Sequence, residues 1–151
     1  MEIETGRLKM ISCDSESIRL MKDQKYENGP QAANHVKALL DDPSIDGWGS
    51  WLVLRKSDGV ILGDAGFKGK PNPEKQVEIG YGFLECYWGM GYATEAVEGL
   101  LDCAFKANMV EKVVAETDRN NSVSIRVLKK VGMEETNEHA DMIYWQLIRQ
   151  R

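Results

Sequence analysis

Two glycines one residue apart, Gly89 and Gly91, separate a strand-like run at 77–83 from a run of helix formers. Glycine loses more conformational freedom on folding than any other residue, so this pair points to left-handed backbone or to close approach of another group. A strand that turns through glycines into a helix start leaves several backbone N–H groups without partners and gathers partial positive charge at one point. The chemistry open to such a turn is anion binding, and phosphate is the natural anion.

Two of the nucleotide motifs built on this geometry do not fit. A Walker loop needs Gly-Lys-Ser/Thr, and here Tyr92 and Ala93 follow Gly91. A dinucleotide fingerprint needs a small residue where Thr94 stands and an acidic residue at the end of the next strand of a βαβ unit. What remains is a pyrophosphate held by backbone N–H groups alone, without lysine or metal.

The elements that must position this turn follow from periodicity. A first strand is expected at 7–12, and Asp14 or Ser15 caps a helix carrying Ile18, Leu20 and Met21. Pro30 suits the first position of a second helix, whose apolar side holds Ala33, Val36, Leu39 and Leu40. Strands at 51–55 and 60–67 flank the turn Ser57 to Gly59 as a hairpin. In the strand at 77–83, Val77, Ile79, Tyr81 and Phe83 share one face, with Glu78, Gly80 and Gly82 on the other. A helix at 94–108, a strand at 112–117, a helix from Ser122 or Ser124 to Val131 and two strands at 133–136 and 142–149 complete the order. Gly132 is placed to end the last helix in a left-handed cap. The fold class is mixed α/β, α+β-like, with an antiparallel meander in its first half.

The 151 residues, 42% of them hydrophobic, suit one domain spanning 1–151. Cys13, Cys86 and Cys103 are odd in number and lack histidines at ligand spacing, which points to a reducing, cytoplasmic setting without disulfides or zinc. No apolar run approaches the ~20 residues of a membrane span. The net charge of −5 argues against nucleic acid as a partner.

At this point the sequence resembles the GNAT N-acetyltransferases, and within them the branch of ribosomal-protein alanine acetyltransferases (RimJ/RimL-type). The stretch EIGYGFLECYWGMGYATEAV, from Glu78 to Val97, resembles that branch's central motif. AETDRNNSVSIRVLKKVGM, from Ala115 to Met133, carries Asn121, Ser124, Leu128, Lys130 and Gly132 in the pattern of a second motif. ETGRLKM and GVILGDAGF are similar to the opening strand and the third strand. The resemblance implies a central, mostly antiparallel twisted sheet of about seven strands, with the parallel fourth and fifth strands splayed, flanked by about four helices. It also implies acetyl-CoA as co-substrate, an amine acceptor and direct transfer without a metal; a homodimer stays open.

By the same resemblance, the backbone N–H groups of Met90, Gly91, Tyr92, Ala93 and Thr94 hold the pyrophosphate. The backbone of Phe83 and Leu84 pairs with pantetheine, and Leu84 polarises the thioester carbonyl, an oxyanion device. Asn121 meets the pantetheine arm and Lys130 the ribose phosphate. Two positions depart from the pattern. Trp88 replaces the usual Arg or Gln, and Leu128 stands where many members carry a tyrosine acid.

Glu78 is the first candidate base, with an ion-paired structural carboxylate as the competing reading, and Glu116 is the second. At pH 7 an α-amine is roughly 10% neutral and a lysine amine ~0.04%, so an α-amine acceptor needs little help from a base. Glu95 reads as a first-turn helix carboxylate. His35 and His139 read as isolated surface or cap residues. Trp48, Trp51 and Tyr26 are divided between an acceptor groove and the core. The expected function is acetyl transfer to a protein N-terminal or small-molecule amine, and the alternative is a non-catalytic acyl-CoA sensor of the same fold.

Overall fold

The computed structural model describes residues 1–150. Its strands are β1 (Glu2–Glu4), β2 (Leu8–Ser12), β3 (Ser50–Arg55), β4 (Ile61–Phe67), β5 (Gln76–Phe83), β6 (Lys112–Asp118), β7 (Glu134–His139) and β8 (Met142–Ile148). The α-helices are α1 (Ser15–Asp23), α2 (Gln31–Asp41), α3 (Tyr92–Lys106) and α4 (Ser122–Lys130). All the strands join one sheet in the order β1-β2-β3-β4-β5-β6-β8-β7. Every neighbouring pair is antiparallel except β5 and β6.

Local chemistry sets most boundaries. Asp14 starts α1 by accepting the N–H groups of Glu16 and Ser17, while Ser17 Oγ accepts the Asp14 N–H in return. Gly132, at φ +91°, ends α4 as expected: its N–H reaches Lys129 O and the next N–H, from Met133, reaches Leu128 O. Pro30 stands one position outside α2, as its cap.

The sheet has eight strands where about seven were expected, because Glu2–Glu4 adds an edge strand whose only apolar residue is Ile3. β7 extends beyond the expected 133–136 although it is exposed throughout; its pairing with β8 supplies the order that its own side chains do not. Helix α3 begins two residues before Thr94, since Gly91 itself is the cap.

Alternation along the strands separates two apolar layers. Trp51, Val53, Val77 and Ile79 pack with the buried stripe of α3, Ala96, Val97, Leu100, Leu101 and Ala104. Leu52, Leu54 and Ile61 face the opposite way and pack with Tyr26 and Ala32 from the α1–α2 region. That second face carries Gly66, Gly80 and Gly82 on β4 and β5, so these glycines add no side chains of their own to it, although the Asn28 amide lies over Gly82. Among the described residues no helix is long and apolar enough to cross a membrane.

Candidate active site

The glycine turn has the conformation its sequence requires. Gly89 and Gly91 sit at φ +81° and +80°, in left-handed backbone, and Gly91 caps α3 without any side-chain cap. A Cβ would meet nothing at Gly89 and only Arg7 Nη2 at Gly91, so backbone angle and not space demands glycine here. The first helical bond of α3 runs from Glu95 N–H to Gly91 O. The N–H groups of Met90, Gly91, Tyr92, Ala93 and Thr94 therefore have no acceptor among the described residues. Gly91, Tyr92, Ala93 and Thr94 border a recess of about 150 Å³, across which α4 presents Arg126 and Lys130; Met90 lies outside its lining. Neither cation has an ion-pair partner among the described residues. Arg126 was missed in the sequence, although its i,i+4 spacing from Lys130 is visible there.

The turn is fastened from the other end of the chain. Arg7 donates Nη1 to Met90 O at 2.9 Å, lies 4.5 Å over the Tyr92 ring and pairs with Glu95 at 2.8 Å. Glu95 also accepts the Arg7 N–H and the Thr5 hydroxyl. Burial alone would raise the Glu95 carboxyl, but the donors from Thr5 and Arg7 hold it below the usual carboxylate range. Its contribution to stability is thus present above the unfolded-state pKa near ~4.3 and is lost as pH falls through the lower folded value. Glu95→Ala is expected to cost about 1–3 kcal/mol in denaturant unfolding at pH 7. The gap from the native chain should narrow below about pH 4; a constant gap would mean that charge does not carry the clasp.

The second feature is the parting of β5 from β6. They pair only at Gln76↔Lys112, Val77↔Val113 and Glu78↔Val114, beyond which β5 stays bound to β4 and β6 to β8. Lys68 N–H donates to Glu78 O and Leu84 N–H to Leu62 O, so the even-numbered residues of β5 bond to β4. Alternation in an antiparallel ladder then turns the N–H groups of Tyr81 and Phe83 toward the gap. The expectation for Leu84 is corrected on this point: its N–H is engaged with Leu62, and the free donors are those of Tyr81 and Phe83. Phe83 O accepts the indole N–H of Trp88 at 2.8 Å, which gives Trp88 a structural role beside the turn.

On the glycine-bearing face, the gap opens into a cavity of about 630 Å³ beneath α2. Its walls include Asp64, Gly80, Tyr81, Glu116, Asp118 and Asn121. Asn121 caps α4 through Oδ1, to Ser124 N–H at 3.1 Å, which leaves its amide Nδ2 unpaired. Tyr81 spans to α4, donating its hydroxyl to Ser124 O at 3.1 Å, and burial raises its pKa. The Glu116 side chain makes no hydrogen bond or ion pair among the described residues. Glu78, by contrast, sits at the last paired rung and binds Lys68 Nζ at 2.7 Å, outside the cavity lining.

Asp64 and His35 were not among the sequence candidates for the site. Asp64 is 5% exposed and its Oδ2 accepts Tyr26 Oη at 2.6 Å and Asn28 Nδ2 at 3.0 Å; burial raises its pKa. His35 is no surface residue: it is 7% exposed on the α2 wall, Gly49 leaves room for its ring, and burial lowers its pKa. Of the three aromatics, Trp48 borders the cavity, whereas Trp51 and Tyr26 belong to the two apolar cores.

Similarity to known proteins agrees with this geometry. A family described as Acetyltransferase (GNAT) domain matches residues 9–134. The chain is 39% identical over 149 residues to YkkB, an uncharacterized protein of Bacillus subtilis strain 168, covering 85% of this chain and 86% of that one. It is 24% identical over 160 residues to YjdG of the same organism, an uncharacterized N-acetyltransferase, covering 95% of both chains. Its fold matches that of RimL, a ribosomal L7/L12 α-N-protein acetyltransferase solved with coenzyme A, at TM-score 0.78 and 14% identity over 98% of each chain. With a matched family domain across most of its length and a fold that parts its parallel strands beside a glycine turn, the chain belongs to the GNAT family of acetyltransferases.

Proposed function

We propose that the chain, acting as one domain over residues 1–151, transfers the acetyl group of acetyl-CoA directly to a primary amine, on a small molecule or a protein N-terminus. The observation that carries this reading is the strand edge running between the two recesses. Tyr81 borders the larger and Phe83 the smaller, and both offer unpaired N–H groups along the gap.

Acetyl-CoA, when bound, supplies an acetyl group activated as a thioester. The residues of the glycine turn fit its pyrophosphate: the N–H groups of Gly91, Tyr92, Ala93 and Thr94, which border the smaller recess, donate to it, with that of Met90 at its margin, and Arg126 and Lys130 offset its charge. Asn121 Nδ2 and the gap-facing N–H groups of β5 hold the pantetheine arm in an extended course. One of the N–H groups of Tyr81 and Phe83 donates to the thioester oxygen, where negative charge grows as the amine attacks. The amine nitrogen bonds to the acyl carbon, the C–S bond breaks and sulfur leaves as thiolate. The amine's proton passes to Glu116, which borders the cavity and whose side chain has no competing partner among the described residues. Glu78, the first candidate, is committed to Lys68.

Release of CoA thiol in the presence of an amine panel tests the reaction. Binding of acetyl-CoA without turnover of any amine would favour the sensor reading. For the proton, Glu116→Gln is expected to lower kcat at neutral pH by about 10²-fold, within the span of general-base effects, and Glu78→Gln by less than about tenfold. The reverse order would return the role to Glu78. The three free cysteines suit the reducing cytoplasm as the place of action.

A further inference from the structure

The larger cavity has a polarity that acetyl transfer alone does not require. Three carboxylates border it, Asp64, Glu116 and Asp118, against one lysine, Lys68, which is bound to Glu78. Asp64 is the unusual member. A carboxylate this buried needs its lone pairs satisfied, yet both of its hydrogen bonds go to Oδ2 and Oδ1 accepts none from the described residues. Tyr26 and Asn28 both hold the side chain through Oδ2, and Asn28, whose amide lies over Gly82, is itself anchored by donating to Gly82 O at 2.9 Å. The same cavity wall contains two buried polar atoms without partners among the described residues, His35 Nε2 and Ser50 Oγ. With its burial-lowered pKa, His35 adds no positive charge at neutral pH.

The place of Asp64 separates it from the reacting nitrogen. Asp64 pairs with Gly82 across β4 and β5, so it stands on the far side of β5 from the gap. One to two strand spacings, roughly 5–10 Å, lie between Asp64 and a chain laid along the open edge of β5. Between the two, Gly80 adds no side chain to the cavity floor, while the Asn28 amide lies over Gly82.

We propose that Asp64 Oδ1 receives a second cationic nitrogen of the acceptor, so the site selects a diamine-type substrate: one amine reacts at the gap while an ammonium a few bonds away rests on Asp64. This deepens the acetyltransfer reading above and rests on it. A peptide N-terminus without a second cation would leave Asp64 unpaired.

Two measurements test this. The first is thiol release from acetyl-CoA by the native protein with 1,4-diaminobutane and with butylamine. The second is calorimetric binding of 1,4-diaminobutane to the CoA-saturated protein, native and Asp64→Asn. A charged hydrogen bond in a buried site predicts a kcat/KM at least roughly tenfold higher for the diamine, and a similar loss of diamine affinity in Asp64→Asn. Native protein that acetylates both amines equally, or prefers butylamine, overturns the inference while leaving acetyl transfer intact. Equal diamine binding by native and Asp64→Asn protein also overturns it. Asp64-dependent diamine binding with no thiol release by any amine supports the cation site and removes the acetyltransfer reading instead. The comparison of the two amines needs only native protein, so a poorly folded variant would not block the test.

Discussion

A protein carrying Gly91→Val is expected to bind CoA about 10- to 100-fold more weakly than the native chain. The reason is conformational. Residue 91 sits at φ +80°, where a β-branched side chain meets its own backbone at a cost of roughly 1–3 kcal/mol. The new Cβ would approach only the flexible end of Arg7, so crowding adds little. To relieve the strain the backbone must rotate to negative φ, which turns the N–H groups around residue 91 away from one another, and the recess loses its convergent donors. Gly59, at φ +75° in the β3–β4 turn with open space around it, provides the control. Gly59→Val carries similar strain far from the site and should lower stability without changing CoA affinity. Undiminished CoA binding by Gly91→Val would remove the glycine turn from the pyrophosphate site.

Gly80→Val is expected to produce the opposite separation. Residue 80 is in regular strand backbone, which accepts β-branched residues, and a Cβ there meets only the flexible Cε of Lys68 at 3.3 Å. The isopropyl group would instead fill the bare floor between Asp64 and Glu116 and lift any acceptor off the gap. Misplacing a nucleophile by about 1 Å can cost on the order of 10²-fold, so kcat/KM for every amine should fall by about that factor. CoA affinity should stay within about twofold, because the turn and α4 are untouched. Loss of CoA binding in step with turnover would mean that the cavity is not a separate acceptor site.

These two glycines also mark the limit of what the chain states locally. At Gly91 the functional signal is short-range: a left-handed residue, a helix start and the open N–H groups behind it are properties of a few consecutive residues, and they stand where the sequence puts them. The capping of α1 by Asp14 and the end of α4 at Gly132 were legible for the same reason. At Gly80 the signal is relational. Its alternation with Val77, Ile79 and Tyr81 showed which face was bare but not what stood opposite.

The rest was decided by pairings that no local pattern carries. The expected donor at Leu84 was off by one residue because ladder parity depends on where β4 sits against β5, and a one-residue step turns every N–H to the other side. Asp64 reads as an ordinary strand residue until Tyr26 and Asn28, 38 and 36 positions away, enclose it. Arg7 and Glu95, 88 positions apart, become one clasp only when β2 crosses α3. The sequence by itself determined the helix caps, the strand alternation and the anion-binding turn, because these depend on backbone angles and side-chain period over a few residues. The parting of β5 from β6 was expected only through the family resemblance, and tertiary structure alone decided which donors stay free in the gap and that a carboxylate is buried there, because each is a relation between segments whose separation along the chain hides their contact.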